Sequence, residues 1–404
     1  MKNAFSLMRT GNRFGGDHLP VIISSGCLLF SLFTLDRAFI TGYTFALLIT
    51  IALHPAIKLS KRTLRMTGAL LLLLPLLLAI GLKTGSSKGR LLIYKISAAI
   101  CRDHFPQGIG WGNFKAVYNN YQAEYFRKGT YSTTELLAAD NTYFAFNDYF
   151  QWIIEGGWMA IAGIVIGAAL ISLGIARNLR KGTTPLLNIA IAQLAAIMIA
   201  ACFTHVFEKP LYQFLAVGAL SLLFLRWQYA VIPALLALFI FHAHYVRYYQ
   251  DYQRLREAQQ LALAGNRMTL LKTGEDLYPA FREEPEFLMV YGSMLLEMEE
   301  REKAPRILLE ACTLRPTSTW LTKLAAAYEL AGDTAAAERT YLQAVYMVPN
   351  RFGAKMQLFT FYEQQGRLEE MMHWGRIILQ QPVKIPSAQV DRILQLVKQK
   401  MAMK

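Results

Sequence analysis

Cysteine is scarce in this chain and poorly placed for chemistry. Cys27, Cys101, Cys202 and Cys312 are scattered without metal-binding or disulfide spacing, and two of them fall inside apolar runs. Neither a disulfide framework nor a metal site is expected. Acidic residues are outnumbered, with 28 Asp and Glu against 42 Lys and Arg and a formal net charge of +14. Such a balance raises nucleic acid as a partner. The basic residues cluster beside apolar stretches, however, which fits membrane orientation, and no nucleic acid is expected. The first apolar run lacks a small-residue cleavage site and is followed instead by Asp36-Arg37, so no cleavable signal peptide is expected.

Apolar residues, by contrast, are abundant, at 54% of the chain with a mean hydropathy of +0.26. They are confined to residues 19–245; from Gln250 onward the chain is charged and helical in pattern. Two regions are expected, 1–249 embedded in a membrane and 250–404 outside it. A bilayer core needs about 20 apolar residues per helix. Seven candidate spans meet or approach that length: 19–35, 38–57, 66–83, 157–176, 186–205, 211–226 and 228–245. Lys2, Arg9 and Arg13 precede the first span. Lys58, Lys61, Arg62 and Arg65 fill the second connection, Arg177, Arg180 and Lys181 follow the fourth span, and Arg226 follows the sixth. Every second connection is basic and is assigned to the cytoplasmic side. The Asp36-Arg37 tip, a long loop at 84–156, the His205–Pro210 turn and the C-terminal region then face outward.

Polar chemistry concentrates in that loop. Its first helix is expected to stop before Pro106, because the residue before proline disfavours the α region. "PQGIGWGNF" follows, with Gly108, Gly110 and Gly112 alternating. No strand precedes it, so the glycines read as a tight backbone turn and not as a phosphate loop. Tyr118, Tyr121, Tyr125 and Phe126 interleave with Asn119, Asn120 and Gln122. Aromatic faces beside amides suit sugar rings; they also suit a helix at a membrane interface. In "FNDYFQWIIEGG", Phe146, Tyr149, Phe150, Ile153 and Ile154 fall on one helical face, and Asn147, Asp148, Gln151 and Glu155 on another. Gly156-Gly157 ends the pattern.

"GRLLIYK" at 89–95, "PQGIGWGNF" at 106–114 and "FNDYFQWIIEGG" at 146–157, with "TLDRAFITG" at 34–42, resemble the O-antigen ligase and O-antigen polymerase superfamily over roughly residues 30–225. The resemblance implies a helical, metal-independent and cofactor-free membrane glycosyltransferase of the bacterial inner membrane. Such an enzyme moves a glycan from undecaprenyl pyrophosphate to lipid A-core, to another carrier-linked glycan or to a protein hydroxyl. It carries the family's two arginines onto Arg37 and Arg90, whose guanidinium forks suit pyrophosphate oxygens. Where ligases carry a histidine before the Asn of the last motif, this chain has Phe146, so either Asp148 or Glu155 substitutes as base or the acceptor needs no strong base. The chain also has fewer spans than the family ahead of the Asp36-Arg37 turn. The candidate site comprises Arg37, Arg90 and Asp148 as catalytic residues, with Lys95, Asn147, Gln151, Gly110, Gly112 and Tyr118 binding substrate.

Residues 317–349 and 350–382 repeat one plan, pairing Tyr328 with Tyr362, Gly332 with Gly366 and Pro349 with Pro382, and a divergent copy occupies 286–316. The spacing is close to the 34-residue tetratricopeptide period. Such repeats stack helix pairs into a concave surface that binds protein. His373 and Trp374 read as core, and His242 and His244, two apart on a helix, do not form a metal site. The expected fold is all-α: a polytopic membrane protein with a large periplasmic loop and a C-terminal repeat domain, which the charge alternation also assigns to the periplasm. The function expected is glycan transfer. The alternatives are a polymerase, or a non-catalytic scaffold that organises envelope proteins through its repeats.

Overall fold

The computed structural model describes residues 2–54, 84–182, 184–225 and 267–403, with isolated positions between 232 and 260. The candidate span at 66–83 lies outside the described residues, as do its basic connection, part of the span at 228–245 and His244. Among the described residues the chain is all-helical, without strands. The helices are α1 (Lys2–Phe33), α2 (Arg37–Ala52), α3 (Thr84–His104), α4 (Phe114–Arg127), α5 (Thr133–Ala138), α6 (Asp148–Lys181), α7 (Pro185–Ala200) and α8 (Pro210–Phe224). They continue as α9 (Arg267–Phe281), α10 (Pro285–Glu297), α11 (Lys303–Leu314), α12 (Ser318–Ala331), α13 (Thr334–Met347), α14 (Phe352–Gln364), α15 (Leu368–Gln380) and α16 (Ala388–Ala402).

They form two compact units, residues 1–84 with 144–246, and residues 85–143 with 247–404. This division departs from the expected boundary at 249, because most of the long loop packs with the C-terminal helices.

In the first unit, the Asp36 side chain caps α2 by accepting the Ala38 and Phe39 amides, which fixes the tight turn out of α1. Helix α2 then crosses α7 very closely. A Cβ on Gly42 would lie 2.4 Å from the Ala196 carbonyl oxygen, and Ala46, Ala192 and Ala196 are buried around the crossing. Small residues let the two backbones approach. Helix α6 is the one described helix long and apolar enough to cross a membrane, and only 11% of its most apolar stretch is buried. Asp17–Phe33, α2, α7 and α8 are apolar but have at most 17 residues, against the about 20 that a bilayer core needs.

Helix α6 also explains why a polar, aromatic stretch adjoins an apolar one. Gly157 sits at φ 57 and ψ −136, a conformation open to glycine and strained for other residues, and breaks the helix into two parts. Before the break, Asp148, Gln151, Ile154 and Glu155 are buried in the fold. After it, Trp158, Val165, Ile166 and Leu170 are exposed.

In the second unit, α10–α11, α12–α13 and α14–α15 are successive helical hairpins. Helices α12 and α14 run into Gly332 and Gly366, which have positive φ and stand one 34-residue period apart. Tyr341, Phe361, Tyr362, Trp374 and their neighbours form one continuous core. Helix α4, from the long loop, packs against α13 and α11 in this core and contributes Ala123 to it.

Candidate functional site

The first unit gathers its polar and aromatic groups around the connection between α7 and α8. Asn147 caps α6 through its side-chain oxygen, which accepts the Phe150 amide at 3.0 Å. Asp148 follows, and its N–H donates to the Ala201 carbonyl at 2.9 Å. Its Oδ2 accepts the Val206 amide at 2.7 Å and the Phe207 amide at 3.1 Å. One buried residue therefore ties down both ends of the segment 201–207. Gln151 completes the anchor, accepting the Ala145 amide at 3.1 Å and donating to Glu155 at 3.3 Å.

This anchored connection presents His205. Its ring lies parallel to Phe144, with centroids 4.2 Å apart and planes at 8°. Phe146 meets it edge-on at 5.7 Å. Phe146 is not on the helix face that periodicity assigned to it. It precedes the cap Asn147 with φ 54, a left-handed conformation costly for a bulky residue, on the order of 1–3 kcal/mol. In this conformation its ring edge faces the imidazole. Burial, and then the Lys209 ammonium, push the His205 pKa below its ordinary value, against an opposing pull from the Asp36 carboxylate. The Nδ1 of His205 is buried without a hydrogen-bond partner among the described residues.

Asp36 and Arg37 approach this region from the α1–α2 turn. Phe39, in the first turn of α2, stacks on Tyr212, in the first turn of α8, at 4.6 Å. The Arg37 Nη2 is also buried without a partner among the described residues. An unsatisfied buried polar group costs about 1–3 kcal/mol, and a charged one more. Two such atoms at one end of this unit mark a place that an anionic or hydroxyl-bearing ligand would complete. A neutral imidazole nitrogen accepts a proton, and a guanidinium N–H holds an oxyanion.

The remaining residues named from the sequence have other occupations. Arg90 is half-buried on α3, in the second unit, whereas Arg37 belongs to the first. Lys95, expected to bind substrate, donates to Glu135 and to the Tyr125 hydroxyl, both at 2.7 Å. The Lys95 ammonium and the Ser132 amide hold the Glu135 carboxyl down at about 2. Tyr118 is a correction: it is fully buried, stacked on Phe114 at 5.3 Å and bonded to Gln122, and presents no face to a sugar. Gly110 and Gly112, at φ 89 and 78, form the expected tight turn ahead of α4. Asn147 and Gln151 spend their side-chain oxygens on backbone amides, and the Gln151 Nε2 donates to Glu155. Among the described residues no cluster of three or more His, Cys, Asp or Glu could hold a metal ion.

His205 was missed because no pattern marks it. The available signal was a lone imidazole in "FTHVFEKP", a short polar link between two apolar helices. Comparisons with protein-family models, with curated proteins and with solved structures find no significant match to this chain.

Proposed function

We propose that the protein is a membrane glycosyltransferase of the O-antigen ligase type. It moves a glycan from undecaprenyl pyrophosphate to the hydroxyl of an acceptor, lipid A-core or protein, at the outer face of the bacterial inner membrane. The observation that carries this reading is the pair of buried nitrogens without a partner among the described residues, Arg37 Nη2 and His205 Nδ1, at one end of a bundle of apolar helices. The acceptor hydroxyl attacks the anomeric carbon, and the bond from that carbon to the pyrophosphate oxygen breaks. The hydroxyl proton passes to His205, and Arg37 takes the charge left on the pyrophosphate. Asp148 acts through His205, as the anchor of the segment that carries it. In this reading the apolar helices are membrane spans, and the alternation of basic connections puts the loop and the C-terminal hairpins in the periplasm. Alkaline phosphatase fused after Lys404 should be active, and an inactive fusion with a stable protein refutes the orientation.

The chemistry is tested by glycan transfer in a deletion strain complemented with Arg37 variants, with carrier-linked glycan quantified alongside. Arg37→Lys keeps the charge and loses the planar fork, so transfer should fall clearly. Arg37→Ala should lower it by about 100–1,000-fold, the usual cost of one preorganised donor. A well-expressed, fully active Arg37→Ala protein refutes the role given to Arg37, and unchanged glycan transfer in the deletion strain itself refutes the transferase reading and leaves the non-catalytic scaffold.

A further inference from the structure

The C-terminal hairpins carry buried carbonyls and amides that are answered from far away in the sequence. Asn119, buried on α4, donates to the Pro316 carbonyl at 2.8 Å and accepts the Thr142 amide at 2.9 Å. Gln122, one turn on, donates to the Met347 carbonyl at 2.6 Å and to the Asp140 carbonyl at 3.0 Å. From the other side, the buried amide of Asn350 donates to the carbonyls of Leu136, Leu137 and Ala139, at 3.0, 3.2 and 2.7 Å. Asn141 accepts the Ser318 amide at 3.2 Å, and Arg351 pairs with Asp140 at 2.6 Å.

We infer that the hairpins are an intramolecular clamp whose ligand is the chain's own segment 114–143, and that this face does not serve to recruit an outside protein. The polar bonds converge on an irregular stretch, 139–143, that no helix of its own satisfies. Backbone groups buried there need side-chain partners, and three amide side chains supply them. The contact is also apolar, since Ala123 lies inside the hairpin core and Phe126 lines a cleft together with Val345, Tyr346 and Trp374. A segment that left for a competing partner would expose Ala123 and strand the amides. The clamp holds α3 as well, through Lys95 to Glu135 and His104 to Tyr121 at 3.0 Å, and so places the helix that bears Arg90.

The test uses the full-length protein in detergent and does not depend on any transfer activity. Hydrogen exchange of the amides at 139–143 is measured for the wild type, Asn350→Ala, and Lys384→Ala as a control on the neighbouring cleft wall. Loss of the Asn350 side-chain hydrogen bonds, the one to the Ala139 carbonyl among them, should speed exchange about 10-fold or more in Asn350→Ala, with the control unchanged. Equal exchange in all three proteins overturns the clamp. In a background with the native cysteines replaced by serine, N120C combined with Q343C joins α4 to α13, where the natural side chains hydrogen-bond at 2.9 Å. A short thiol-to-thiol reagent should crosslink this pair within one chain, in near-quantitative yield. Failure to crosslink, or crosslinks only between copies, overturns the inference even if Asn350→Ala fails to fold. A crosslinked protein that loses binding of a co-purifying partner would show that the segment must leave, and would also overturn it.

Discussion

Replacing Asp148 by Asn separates two roles that the carboxylate could have. As the anchor of the 201–207 segment, it needs only an acceptor oxygen facing the Val206 and Phe207 amides, and asparagine retains one. What is lost is charge. Bonds to a charged acceptor are worth about 1.5–3 kcal/mol and neutral ones about 0.5–1.5 kcal/mol, so the pair loses about 2 kcal/mol. At about 1.4 kcal/mol per tenfold, local opening of the segment should become roughly 30-fold more frequent. Hydrogen exchange at the Val206 and Phe207 amides reads that change directly. Transfer should fall only several-fold, because His205 is still delivered to the same place. Asp148→Ala removes the one oxygen that accepts both amides, leaves the fully buried Val206 with an unsatisfied amide, and should cost about 2–6 kcal/mol for the two amides together. An Asp148→Asn protein with wild-type exchange and no transfer would refute this reasoning and make the carboxylate itself the base.

The second unit should carry two pH signatures of the same sign, one acid and one alkaline, in each of which stability rises with pH. Glu135 is held at about 2 against an ordinary value of 4.5, so its contribution is complete above about 4.5 and is lost as pH falls toward 2. Glu135→Gln should flatten that acid limb in urea melts. Lys355, buried on α14 and bonded to the Pro349 carbonyl and Gln381, is pushed down to about 8 from 10.5 by desolvation. The unfolded chain then binds more protons between those values, and stability should rise from about pH 8 to 10.5 by up to roughly 3 kcal/mol. Lys355→Met should abolish the rise, and an unchanged profile would refute the assignment. In the first unit, Gly42→Ala forces a Cβ against the Ala196 carbonyl. It should cost about 1–3 kcal/mol by overpacking, read as a lower thermal midpoint in detergent.

Features set by near neighbours were legible in the sequence. Asp36 marks the turn between α1 and α2, Pro106 follows the end of α3 at His104, and Gly332 and Gly366 punctuate the hairpins. Each works through a local backbone preference that a single residue type reveals. Phe146 was misplaced for a related reason: its apolar spacing fits α6, but Asn147 captures the helix start and leaves Phe146 outside. The anchor and the clamp were not legible. Asp148 meets amides 58 and 59 residues away, and Gln122 meets a carbonyl 225 residues away. Nothing in an isolated Asp or Gln says which distant backbone it will satisfy. Tyr118 failed as a sugar platform on the same ground, because its spacing is equally that of a buried helix face.

The sharing of one core by residues 85–143 and 247–404 imposes a parity rule on everything between them. Both halves of that core must reach the same compartment, or Ala123 could never meet Tyr341 and Leu308. If α6 crosses a bilayer, the chain must therefore return before residue 247, and the total number of crossings between 144 and 246 must be even. The four candidate spans in that interval satisfy the rule; three or five would not. An insertion that added a single crossing there would leave both units chemically intact and the second unassembled, its two halves stranded on opposite faces of the membrane.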